Sequence, residues 1–374
     1  MYRNENLKII LLTLSLEHGG SEQRAITLAR YFQKKEFNVE LWGLNGPGSL
    51  SQMCDEFGIP WRVVPLDWYQ KPRRRIANLF KWLIALRKAK PDILLPHTLI
   101  PNTVCGILWR WTGASRCIGY EGGYEFGLAG RHWESMAVRL TPVFICNAQH
   151  IASEMVNYYK CRENKIKIVP NGIELANPIH SRSWWRTSLG VGENAFLAVM
   201  VANLSGFKDH DTLLKAWRLV INRLAIKGVD AKLLLAGKDL GTESMLRRLV
   251  DKLGMREGVK ILGKVQDVSG LLRSVDLGVY SSRREGSPNG IIECMLAGLA
   301  VAATDCDGIR WVLGEHQTPW LSRSDDIEKF AKNILSLKDD MNTRILIGMQ
   351  NKDRAVKEFS PDKMCRTTEL LVVG

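Results

Sequence analysis

The residues best suited to chemistry lie in the run Glu285-Gly286-Ser287-Pro288-Asn289-Gly290-Ile291-Ile292-Glu293. It holds two carboxylates, one ahead of an expected helix and one within it. Ser287 fits an N-cap, and Pro288 fits the first helical position, where a missing N–H costs nothing. Ile291, Ile292, Met295, Leu296 and Leu299 then fall on one helix face. Such a helix points the N–H groups of Asn289 and Gly290 away from its start. Those groups and the helix dipole make an anion site suited to a diphosphate. Glu285 and Glu293 can each accept hydrogen bonds from sugar hydroxyls. The same residues also fit a plain helix with an acidic first turn. A glycosidase pair is the competing chemistry. It needs carboxyls flanking one bond, about 5 Å apart for retention and further for inversion. Two carboxylates on consecutive parts of one element point less naturally at opposite faces of a sugar.

The elements that position this run alternate between short apolar strands and amphipathic helices. In the first half, Lys8–Leu14, Val39–Trp42, Trp61–Pro65, Ile93–Pro96, Arg116–Tyr120 and Val143–Cys146 read as strands. Ser21–Lys35 and Leu50–Phe57 read as helices. The pattern pauses between Asn171 and Asn194, among Gly172, Pro178, Gly190 and Gly192. It resumes with strands at Phe196–Ala202, Leu233–Ala236, Val259–Leu262, Leu277–Tyr280 and Leu299–Ala303, and helices at His210–Ile226 and Thr242–Leu253. Such alternation implies parallel sheets covered on both faces. The fold expected is therefore α/β, with two Rossmann-like doubly wound domains facing across a cleft. The boundaries expected are residues 1–174, 175–355 and 356–374, the last a helix packing back towards the first domain. Open parallel sheets bind ligands beyond their strand C-termini.

A chain of 374 residues, 45% apolar and 24% charged, suits two soluble domains and excludes disordered and fibrous classes. A formal net charge of +13 favours anionic partners: nucleic acid, anionic lipid or phosphorylated substrates. The eight cysteines form no C-x-x-C pair. They read as reduced, mostly buried thiols rather than a zinc site or disulfide framework. The apolar run Ile9–Leu16 is short and leads straight into a helical pattern, which argues against a signal peptide. No window is apolar for long enough to predict a spanning helix.

The Glu285–Glu293 segment resembles the E-x7-E signature of glycosyltransferase family 4, whose members have the GT-B fold and retain anomeric configuration. The likeness extends over nearly the whole chain. Gly19-Gly20 is similar to the family's first glycine-rich turn, and Val169-Pro170-Asn171-Gly172-Ile173 to the stretch ending its first domain. Ala202-Asn203-Leu204 with Lys208-Asp209-His210 is similar to the loop opening the second. Leu235-Ala236-Gly237 and Leu262-Gly263 match the following strand ends. The resemblance implies that Glu285 contacts donor-sugar hydroxyls and Glu293 holds the nucleotide ribose. It implies that Lys208 pairs with the diphosphate and that Gly20, beside Gly19, brings its backbone to the same phosphates. Ser287, Pro288, Asn289 and Gly290 would line the donor site, and Val265 would read the base through its main chain. Many members carry an arginine where Asn203 stands, and Arg283 or Arg284 would have to supply that charge.

His97 lies where the family often has a histidine facing donor and acceptor, although a loop histidine capping backbone fits equally. His18 is open in the same way. Glu121 and Tyr124 lie in a loop where acceptors would enter, or in a simple flexible turn. The triplets Asp209-His210-Asp211 and Asp305-Cys306-Asp307 are the D-x-D pattern that holds a metal in GT-A enzymes. Both have ordinary capping explanations, so no metal is expected. No cofactor is expected either, a UDP- or GDP-sugar being the substrate.

The run from Lys71 to Lys90 holds Lys71, Arg73, Arg74, Arg75, Lys81, Arg87, Lys88 and Lys90 and no acid. Ile76, Leu79, Phe80, Leu83 and Ile84 share a helical spacing, predicting a face packed inward with cations outward. Cations near an anionic leaflet contribute about 1 kcal/mol each. This points to peripheral docking on the cytoplasmic face of a membrane and to a glycan or lipid-linked acceptor. A nucleic-acid patch is the rival, but no nucleic-acid module accompanies it. A GT-B nucleotide-sugar epimerase and a non-catalytic binder on the same scaffold are the alternative functions. Oligomeric state is not legible.

Overall fold

The computed structural model describes residues 7–17, 19–68, 72–123 and 126–374, with Pro72 and Arg73 as backbone only. The chain divides into two compact units: Met1–Gly172 with Pro361–Gly374, and Ile173–Ser360.

The first unit holds a parallel sheet of β1 (Lys8–Thr13), β2 (Asn38–Gly43), β3 (Trp61–Val63), β4 (Ile93–Pro96), β5 (Arg116–Glu121), β6 (Val143–Cys146) and β7 (Ile166–Ile168), ordered β3-β2-β1-β4-β5-β6-β7. Its central strands are buried on both faces, which is why they read as unbroken apolar runs. The last helix, Pro361–Val373, sets Met364, Cys365 and Val372 into this core.

The second unit repeats the plan with β8 (Phe196–Val201), β9 (Ala231–Ala236), β10 (Val259–Gly263), β11 (Leu277–Tyr280), β12 (Val301–Thr304) and β13 (Leu321–Ser322), ordered β10-β9-β8-β11-β12-β13. In each sheet the strand order reverses once, at β1/β4 and at β8/β11. Ligands of doubly wound sheets bind beyond the strand ends at that reversal. The positions it selects are His97 in the first unit and the segments after Val201 and Tyr280 in the second.

Three sequence expectations need correction. Leu299 does not open β12: its N–H bonds back to Cys294 O, and Gly298, at φ 78°, turns the chain first. The helix over Asn289–Leu296 is capped by extended Pro288 rather than Ser287, without a side-chain cap bond. The basic helix Pro72–Ala89 does not bury the predicted face. Leu79, Trp82 and Leu86 turn inward, whereas Ile76, Phe80 and Ile84 are 59%, 64% and 41% exposed. Trp82 lies against Trp42, ring centroids 5.9 Å apart, and that contact fixes the rotation of the helix.

All eight cysteines are free thiols, and all but half-buried Cys306 are buried. Among the described residues no helix is long and apolar enough to cross a membrane.

Candidate active site

In the second unit, the loops following β8 and β11 are stitched together. Lys208 and Ser282 form an antiparallel bridge, and Asp209 N–H donates to Ser281 O at 3.1 Å. Ser282 Oγ donates to Phe207 O at 3.2 Å. The stitch brings three polar side chains together. Lys208 Nζ donates to Tyr280 Oη at 2.9 Å and forms an ion pair with Glu285. Tyr280 Oη donates to Glu285 Oε1 at 3.2 Å. Burial, and then the Glu285 charge, pushes the Tyr280 phenol well above its ordinary range, so it stays protonated. Glu293, one turn into its helix, is pushed by burial up to about 7.

Close packing explains the glycines around this cluster. A Cβ on Gly290 would lie 1.9 Å from Val201 O, and one on Gly308 would lie 2.2 Å from Glu285 O. The start of the Asn289 helix can meet the end of β8 only through Gly290. Glu285 keeps its loop path only because Gly308 has no side chain. Ile291 N–H makes the first turn's bond to Pro288 O at 3.1 Å, so Asn289 and Gly290 occupy the helix start.

Asn203 is exposed at the end of β8, between Ala202 and Leu204, which bond to the β9 side. Arg283 lies 3.4 Å from Asp209, its side chain 75% exposed. Val265, half-buried, packs on the core between β10 and the helix Val268–Ser274. Both D-x-D triplets have structural partners. Asp209 caps its helix through Thr212, Asp211 pairs with Lys215, and Asp305 grips Arg310. Among the described residues, no group of three or more His, Cys, Asp and Glu could hold a metal ion.

In the first unit, His97 and Tyr120 form a parallel bridge at the ends of β4 and β5. His97 is buried, and its Nδ1 lies 3.0 Å from Leu95 O. A carbonyl only accepts, so Nδ1 carries the proton and Nε2 is left as an acceptor. Burial, then Arg24, lowers this imidazole to about 3. Nε2 and the neighbouring Thr98 Oγ1 are buried without a protein partner, and Thr98 holds φ at 72°. Positive φ in a β-branched residue costs on the order of 1–3 kcal/mol, and such strain clusters at functional sites. Glu121 is buried and accepts from Gly122 N–H, Gly123 N–H and Asn102 Nδ2, so its carboxylate holds the turn it stands in. Gly19 is the N-cap and Gly20 the first residue of the helix after β1. Tyr124 and His18 lie outside the described residues. Tyr280, Thr98 and the Arg24–Tyr120–Asn171 cluster were missed by the sequence reading.

Two Rossmann-like α/β units are the plan of the GT-B glycosyltransferases, and comparison with known proteins agrees. A model of "Glycosyltransferase Family 4" matches residues 18–177, and one of "Glycosyl transferases group 1" matches residues 195–340. The chain belongs to this glycosyltransferase family. It is 25% identical over 285 residues to an uncharacterized glycosyltransferase of Methanocaldococcus jannaschii, covering 71% of this chain and 66% of that protein. It is 22% identical over 287 residues to the UDP-Gal:alpha-D-GlcNAc-diphosphoundecaprenol alpha-1,3-galactosyltransferase of Escherichia coli, covering 74% of this chain and 73% of that protein. A crystal structure of Anabaena HepE in complex with UDP-glucose superposes with a TM-score of 0.84 at 20% identity, covering 98% and 99% of the two chains.

Proposed function

We propose that this glycosyltransferase is retaining and metal-independent, and moves a sugar from a UDP- or GDP-sugar to a lipid-linked or cell-surface glycan precursor at the cytoplasmic face of an anionic membrane. The observation that carries the reading is the Lys208–Tyr280–Glu285 cluster at the sheet reversal, beside the start of the Asn289 helix. A diphosphate arriving there competes with Glu285 for the Lys208 ammonium and leaves the Glu285 carboxylate for sugar hydroxyls. Glu293 takes the ribose hydroxyls and Val265 the base. As the bond from the anomeric carbon to phosphate oxygen breaks, charge grows on the leaving diphosphate. Lys208 and the Asn289–Gly290 N–H groups stabilise it, with Arg283 or Arg284 in place of a cation at Asn203. The acceptor oxygen bonds to the anomeric carbon on the same face, and its proton passes to the departing phosphate. His97 Nε2 accepts from a sugar hydroxyl, Gly19 and Gly20 offer main chain to phosphate, and Glu121 and Tyr124 receive the acceptor.

The galactosyltransferase relative, named for UDP-Gal and a diphosphoundecaprenol substrate, supports this donor and acceptor class. The UDP-glucose complex of the structural neighbour supports the nucleotide. The test is turnover of a nucleotide-sugar panel with a diphosphopolyprenyl-sugar acceptor in EDTA, with product configuration read by NMR. An inverted product, or activity lost to chelation and restored by Mn²⁺, overturns the mechanism. Donor isomerisation without transfer replaces the function.

A further inference from the structure

The outward face of helix Pro72–Ala89 combines two features that neither solvent nor the protein core explains. Ile76, Phe80 and Ile84, each substantially exposed, follow at four-residue steps, about 40° apart around the axis, and so form one apolar stripe. Beside it stand the exposed cations Arg74, Lys81, Arg87 and Lys88, and the helix carries no acid. A contiguous apolar stripe rimmed by cations marks an interaction surface. A polybasic flank with apolar side chains on the same exposed arc is the pattern of a helix lying in a membrane interface. Nucleic acid fits less well, because Ile76 and Ile84 offer a phosphate or base neither charge nor a stacking face.

We propose that this helix is an in-plane anchor: Ile76, Phe80 and Ile84 enter the acyl boundary of an anionic leaflet, and Arg74, Lys81, Arg87 and Lys88 meet its headgroup phosphates. The apolar insertion goes beyond the electrostatic docking proposed above. The anchor is also tied to a neighbouring loop. Arg75 Nε donates to Trp68 O at 3.0 Å, its guanidinium lies 5.0 Å from the Trp68 ring centre, and Trp68 Nε1 donates to Ala129 O at 2.6 Å. Glu134 accepts from Gly127 N–H and Ala129 N–H at 2.8 and 2.6 Å, and from Tyr159 Oη at 2.5 Å. The loop so clamped lies a few residues along the chain from the Glu121 turn. If the acceptor reading holds, the docked helix also fixes the loop that receives a membrane-borne acceptor.

The experiment is co-sedimentation of the full chain, without substrates, on phosphatidylglycerol and phosphatidylcholine vesicles. Wild type is expected to prefer phosphatidylglycerol and to keep part of its binding at roughly 0.5 M salt, where charge attraction is screened. The triple variant Ile76→Ser, Phe80→Ser, Ile84→Ser is expected to lose about tenfold or more in partitioning while its melting temperature holds. The triple variant Lys81→Gln, Arg87→Gln, Lys88→Gln is expected to lose the preference for phosphatidylglycerol. Met349→Ser, on an exposed apolar residue of the other unit, is expected to change nothing. Undiminished binding by the serine triple overturns the proposal. So does a change of oligomeric state in that variant, which marks an interface between copies, and so does competition by an oligonucleotide. Because no substrate is present, failure here leaves the transferase reading untouched.

Discussion

Lys208 and Glu285 stand 77 positions apart in sequence, yet ammonium and carboxylate are paired, and both bond to the Tyr280 hydroxyl. The pairing places a cation and a carboxylate where β8 and β11 part. In the proposed reaction they act as a unit, since the diphosphate that draws Lys208 away also frees Glu285. Lys208→Ala is expected to lower kcat/KM by about 100-fold or more, the scale of losing a transition-state donor. Glu285→Gln is expected to reduce kcat more than nucleotide affinity. The double variant should fall short of the summed losses by about 1 kcal/mol or more. Steady-state kinetics on all four proteins checks this, and losses that add to within about 0.5 kcal/mol sink the coupling.

Glu293 carries a stability cost that depends on pH. Its carboxyl titrates near 7 in the fold, against 4.5 in the open chain. Between those values the folded state holds a proton that the unfolded state has released. Stability therefore falls as pH rises from 4.5 to 7, and the cost is complete above 7. The shift corresponds to about 3 kcal/mol as an upper figure. Glu293→Gln is expected to gain stability over wild type at pH 8, to lose that gain by pH 4.5, and to bind nucleotide more weakly. Urea melts at both values check the first part. A gain that does not change with pH rejects it.

Much of this architecture is legible because central parallel strands are buried on both sides and so form apolar runs. β7 and β13, with three residues and two, are too short to show a pattern. The helix over Asn289–Leu296 was legible from its apolar spacing, but its cap was not, because Ser287 and Pro288 each suit a helix start. The basic helix misled for a related reason. Its apolar residues lie nearly all round, so i, i+3, i+4 spacing fits two faces, and only Trp82 meeting Trp42 chooses between them. Tyr280 was read as the end of a strand. Its role depends on a lysine and a glutamate that only the joined loops bring to it.

Gly308 tests how tightly the Glu285 loop is held. Alanine there sets a methyl 2.2 Å from Glu285 O, which backbone must move to admit. Gly308→Ala is expected to cost about 1–3 kcal/mol in stability and to reduce turnover as well. Gly192→Ala, with open space around it, is the control. Equal melts for both variants show that the loop yields without cost.

His97 is the last position where structure and chemistry make a distinct demand. Its imidazole titrates near 3, so it remains neutral throughout any practical assay. A general acid working near neutrality needs a pKa near its operating pH, and His97 does not have one. In the proposed reaction its part is to accept one hydrogen bond through Nε2, worth about 1 kcal/mol, or roughly fivefold in kcat/KM. His97→Ala is therefore expected to lower activity by that modest factor without moving the pH–rate profile. The stability sign follows from the depressed value. Below 6.5 the unfolded chain takes up a proton that the fold refuses, so stability is lost as pH falls from 6.5 towards 3. His97→Gln should flatten that decline in melts between pH 7 and pH 5. If the variant instead removes an acid limb near 6.5 from the rate profile, His97 carries a proton in the reaction and the acceptor role is wrong.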